Sequence, residues 1–109
     1  MATGIERRQY GRVHLLAHGR NKTCTLEFSG QSSRAELIDI SAGGARVRCS
    51  PPRPGDDVRD VVVCVQAVND NGLLQQLQSE IRWRDGAEYG LQFVYPLQVG
   101  LRTLQELVG

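Results

Sequence analysis

Four turn dipeptides, Ser29-Gly30, Pro54-Gly55, Asn71-Gly72 and Asp85-Gly86, divide the chain into short apolar stretches, and this punctuation limits the fold more than any other feature. Glycine supplies the positive φ that tight reversals need, and stretches of this length suit hairpin-linked strands better than packed helices. The chain therefore reads as mostly β, with strands expected at Val13 to Ala17, Thr23 to Phe28, Ala35 to Ile40, Ala45 to Cys49, Val58 to Val65, Leu73 to Trp83 and Tyr89 to Val94. In Ala45-Arg46-Val47-Arg48 and Ile81-Arg82-Trp83-Arg84 apolar residues alternate with arginines, which predicts one buried and one wet face. Asp85-Gly86 is expected to turn an antiparallel hairpin between the Trp83 and Tyr89 stretches. Pro96 suits the first position of a helix, and Leu97, Leu101, Leu104 and Val108 recur at helical spacing, although Gly100 weakens the segment. That stripe is expected to cover a barrel opening or a sheet face; a partner-binding helix is the alternative.

A length of 109 residues suits a single core. Hydrophobic residues at 40% and charged residues at 23% are those of an ordinary globular protein. The formal net charge of +1 argues against a domain that coats nucleic acid, so any anion site has to be local. Of the 13 basic residues all but Lys22 are arginine, the residue suited to planar, bidentate recognition. Cys24, Cys49 and Cys64 lack the paired spacing of a structural zinc site and read as free buried thiols. His14 and His18 would share a strand face but have no third ligand nearby, and read as plain strand residues. No apolar region follows the charges of Met-Ala-Thr-Gly-Ile-Glu-Arg-Arg and no stretch is long enough to span a membrane, so a cytoplasmic location is expected.

Two constellations carry chemistry. Arg8-Gln9-Tyr10-Gly11-Arg12 has the form R-x-x-x-R and lies in a segment, residues 1–12, with little apolar content; it is expected to be a flexible arm ahead of a barrel over residues 13–109. Asp39-Ile40-Ser41-Ala42-Gly43-Gly44 has the form D-x-S-x-x-G. Taken singly, the arginines fit a solvated charged tail. The second motif fits a turn in which Asp and Ser bond nearby backbone and Gly43 or Gly44 takes a left-handed conformation.

Together the two motifs resemble the signature of the PilZ family, and the likeness extends to the doubled arginine behind Glu6, to Tyr10, to Ile81-Arg82-Trp83 and to Tyr89-Gly90-Leu91-Gln92-Phe93. The resemblance implies a single-domain antiparallel β-barrel of about six to seven strands with a C-terminal α-helix, which binds cyclic di-GMP and needs no cofactor or metal. It also implies that the D-x-S-x-x-G loop lies near the arginine arm, that ligand draws the arm onto the barrel, and that a protein effector reads the change. Arginine matches each part of such a ligand, since it bonds phosphate oxygens in pairs, bonds the O6 and N7 edge of guanine, and stacks on a base. Arg8 and Arg12 would converge on one ligand, and Arg7 would reach a second in a stacked pair. Asp39 would accept from guanine N1–H and N2–H₂, Ser41 would bond ligand or backbone, and Gly43 and Gly44 would let the chain come close. Gly11, next to Arg12, raises the entropy lost when the arm orders.

Catalysis is not expected, because there is no nucleophile elbow, no metal cluster and no recognisable pair of acids. The rival readings are a PilZ-like scaffold that binds only protein, and a small barrel that binds single-stranded nucleic acid, which six aromatics placed mostly in the core make a poor stacking platform.

Overall fold

The computed structural model describes residues 12–15, 22–65 and 72–108. Within them the chain forms strands β1 (Arg12–His14), β2 (Thr23–Phe28), β3 (Gln31–Ser41), β4 (Gly44–Cys49), β5 (Asp60–Val65), β6 (Leu77–Asp85) and β7 (Glu88–Phe93), then helix α1 (Leu101–Val108). Strands β3, β2, β5, β6, β7 and β4 pair antiparallel in that order, and β4 pairs back onto β3 to close a six-stranded barrel. The mostly β barrel with one C-terminal helix is the architecture expected from the sequence. Its seventh strand, β1, stands outside the ring. Because β4 takes one edge of β3, β1 shares the other with β2: β2 pairs with β3 from Gln31 to Glu36 and β1 from Asp39 to Ser41.

Turn chemistry sets the hairpins. Ser29 and Gly30 both have positive φ (50° and 78°) between the paired Phe28 and Gln31, as a type I′ reversal requires. At the β6–β7 hairpin the loop residues are Gly86 and Ala87, one position later than expected, and Gly86 supplies φ 62° at the first of them. Helix α1 starts at Leu101 rather than at Pro96. The Leu97 N–H is committed to the barrel, donating to the Ala42 carbonyl (2.7 Å), and the Gly100 carbonyl accepts the N–H of Leu104 to open the helix. Leu104 and Val108 join the barrel core, and α1 packs against β1.

Two irregularities decide which side chains face out. In β3 the register shifts between Leu37 and Asp39, so Ser33, Ala35 and Leu37 face the interior before the shift and Ile40 after it, leaving Asp39 and Ser41 on the outer face. In β6 the register shifts between Ile81 and Trp83. The simple alternation expected there fails for that reason: Ile81 packs on the core, whereas Trp83 lies outside and is 43% exposed. Arg84 is carried to the side of Tyr89, where its guanidinium sits 5.7 Å from the ring centroid and donates to the carbonyls of Pro54, Gly55 and Val58. One arginine thereby ties the β4–β5 connection to β6. In β4 the alternation holds, with Ala45 and Val47 buried and Arg46 and Arg48 outside. Phe28, Tyr89 and Phe93 are core residues, but Trp83 and Tyr95 are exposed, so the aromatics are less internal than expected.

All three cysteines are free; Cys24 and Cys49 are buried and Cys64 is only partly so. Burial pushes the Cys24 thiol up to about 12, with the neighbouring Cys49 and Cys64 adding to the effect. Burial also raises Cys49, against the opposing influence of Arg53 and a hydrogen bond with Ser33. Among the described residues no group of three or more His, Cys, Asp or Glu is placed to hold a metal, and no helix is long and apolar enough to cross a membrane.

Candidate functional site

Asp39 is the centre of the only place where both sequence motifs meet among the described residues. The shift in β3 turns its carboxylate onto the outer face, yet its side chain is only 5% exposed, with residues from the two flanking strands, β1 and β4, set against it. Arg12 from β1 donates through Nη1 to Oδ1 at 2.6 Å. Arg46, directly opposite Asp39 on β4, holds Nε 3.2 Å from Oδ2 in an ion pair, and that buried Nε makes no hydrogen bond. His14, opposite Asp39 on β1, places Nδ1 3.9 Å from the same oxygen. Two guanidiniums against one carboxylate leave a net positive charge on this face, with side-chain exposures of 45% for Arg12, 42% for Arg46 and 53% for His14.

The turn that follows is built by its own side chain. Ser41 Oγ accepts the N–H of Gly43 at 3.2 Å and donates to the Gly44 carbonyl at 3.4 Å, which fixes the reversal from β3 into β4. Its carbonyls are bound from outside: Phe93 N–H donates to Gly43 O at 2.9 Å and Leu97 N–H to Ala42 O at 2.7 Å. The glycines with positive φ among the described residues are Gly30, Gly72 and Gly86, so the left-handed backbone expected at Gly43 or Gly44 is not used. Gly44 answers a different constraint. A Cβ there would lie 2.2 Å from the Leu91 carbonyl oxygen on β7, so it is the β7 backbone that passes close.

The register extends the site sideways. His14, Asp39, Arg46, Gly90 and Trp83 are successive cross-strand neighbours over β1, β3, β4, β7 and β6. The Trp83 indole lies directly over Gly90, where an added Cβ would fall 2.0 Å from its Nε1. One face of the ring is thus pressed on the sheet while the residue stays 43% exposed.

Arg12, Asp39, Ser41, Gly43 and Gly44 are therefore gathered in one place, whereas Arg7 and Arg8 lie outside the described residues, as does the rest of the arm before Arg12. Arg12 itself is the first paired residue of β1, opposite Ser41. Sequence reasoning missed Arg46 and His14 as members of the cluster and did not connect Trp83 to it. The outward side of β4 was legible for Arg46, but its partner depends on the closure of the barrel.

A family model described as the PilZ domain matches residues 6–109, nearly the whole chain. The chain belongs to the PilZ domain family. PilZ domains are generally cyclic di-GMP-binding domains, and they act as binding and adaptor modules rather than catalysts. No curated protein matches this PilZ chain.

Proposed function

We propose that this PilZ domain is a cyclic di-GMP receptor that couples second-messenger level to a protein effector by ordering its N-terminal arm. The observation that carries this reading is the contact of Arg12 with Asp39, 27 residues apart, which sets the second arginine of R-x-x-x-R on the carboxylate of D-x-S-x-x-G. Arg12 and Arg46 give the two phosphates a charged seat, and a guanine edge takes the place of a guanidinium on Asp39, whose oxygens accept N1–H and N2–H₂. Arg8 closes over the ligand from the arm, and Arg7 reaches a second ligand where a stacked pair binds. The exposed face of Trp83 offers a flat surface for a base at the far end of the row. The effector reads the segment after β7. Leu97 binds the motif turn directly, and Val94 and Tyr95, just ahead of it, are 47% and 74% exposed. No cofactor takes part, and the cytoplasm, typical of PilZ proteins, is the compartment we assign.

Isothermal titration with cyclic di-GMP tests the reading, with GTP as the linear-nucleotide control. Micromolar or tighter binding is expected, with no response to GTP. Arg12→Ala, Arg8→Ala and Asp39→Ala should each weaken it by roughly thirtyfold or more, as truncation of a charge-assisted contact does. Absence of binding by the unaltered protein, or variants that bind as well as it does, would leave the arginines as a charged tail.

A further inference from the structure

We propose that His14 is a ligand-facing residue of this site and that its imidazole takes up a proton when ligand binds, so that affinity rises as pH falls; this rests on the cyclic di-GMP reading above. His14 stands opposite Asp39 in the β1–β3 ladder, on the same outer face as Arg12 two residues earlier. Its Nδ1 lies 3.9 Å from Asp39 Oδ2, too far for a hydrogen bond but within ion-pair reach, and its side chain is about half exposed. A ligand seated on Arg12 and Asp39 therefore comes to rest beside this ring.

The charges around it change sign when ligand arrives. In the free protein the Asp39 carboxylate is compensated twice, by Arg12 on Oδ1 and by Arg46 on Oδ2, so little negative charge is left for His14 to answer. Helix α1, packed on β1, contributes Arg102 and Glu106, one of each sign and both exposed. Binding adds two phosphate charges and draws Arg12 towards them, which leaves Asp39 with one guanidinium. Phosphate and carboxylate then both favour the imidazolium. The proton is thus held more tightly in the complex than in the free protein. By linkage, a proton taken up on binding makes affinity rise as pH falls.

The test is titration with cyclic di-GMP at pH 6, 7 and 8, each in two buffers of different ionisation enthalpy, on the unaltered protein and on His14→Asn. Binding about three- to tenfold tighter at pH 6 than at pH 8 is expected, together with net proton uptake read from the buffer dependence. Both should vanish in His14→Asn, whose affinity is then the same at all three pH values. Thermal melts at both pH values show that the variant is folded. Affinity independent of pH, or a pH dependence retained in His14→Asn as His18 would produce, overturns the inference and leaves the receptor reading intact. No binding at any pH overturns the receptor reading, and this inference with it.

Discussion

Replacing Gly44 by Ala separates two explanations of the last glycine in D-x-S-x-x-G. The new methyl would sit 2.2 Å from the Leu91 carbonyl oxygen, 3.3 Å from its carbon and 3.4 Å from Gln92 Cα, all backbone atoms that no rotamer change can move. Relief requires β4 and β7 to part by about 1 Å against a normal spacing of about 4.8 Å, which stretches the hydrogen bonds that close the barrel. Overpacking of this kind costs about 1–3 kcal/mol, and a rigid neighbour puts Gly44→Ala at the upper end. In a domain of this size that lowers the melting temperature by roughly 10–20 °C. Gly100→Ala is the control, because nothing lies within 4 Å of its added Cβ and it should cost under about 1 kcal/mol. Thermal and urea unfolding of the three proteins without ligand gives the comparison. A Gly44→Ala protein that melts together with Gly100→Ala would refute the crowding explanation and return the requirement for glycine to the ligand.

Arg84→Met should lower stability by about 2–3 kcal/mol, since the carbonyls of Pro54, Gly55 and Val58 lose a charged donor. Arg84→Lys should recover less than half of that, because a single ammonium cannot match the planar fork; a urea midpoint equal to that of the unaltered protein would contradict this. Cys24 supplies a pH dependence. Its thiol is pushed up to about 12 from an ordinary 9.0, so above pH 9 the unfolded chain releases this proton first and stability falls as pH rises. The loss is about 1.4 kcal/mol at pH 10, and Cys24→Ala should show a correspondingly shallower decline between pH 8 and 10.5 in urea titrations. Parallel curves for the two proteins would rule out this contribution.

What was legible in the sequence follows from the range over which each feature acts. Glycine and the turn dipeptides act locally, so the hairpin at Ser29-Gly30 and the order of strands were readable. Alternation identified the outward arginines of β4. The register shifts were not readable, because one additional residue in β3 or β6 leaves no mark in composition, yet those shifts turn Asp39 and Trp83 to the outer face. The start of α1 was misplaced for a similar reason: the periodicity of Leu97 is helical, but its N–H is captured by Ala42, a contact across 55 residues. At the site, the approach of Arg12 to Asp39 was expected from family resemblance and had no local signal. His14 looked like any strand residue until its register with Asp39 was known.

The position of β1 beside the ring, not within it, has an evolutionary consequence. The six strands of the barrel complete their pairing without it, so the strand that begins with Arg12 can change its grip while every other ladder is left whole. Three residue pairs and the burial of Val13 and Leu15, about 1.5–3 kcal/mol for each side chain, set how firmly this strand is held. Conservative exchanges such as Val to Ala at position 13 would loosen the seam in small steps without opening the barrel. On the receptor reading proposed above, the grip on ligand and the durability of the scaffold are then separately heritable traits.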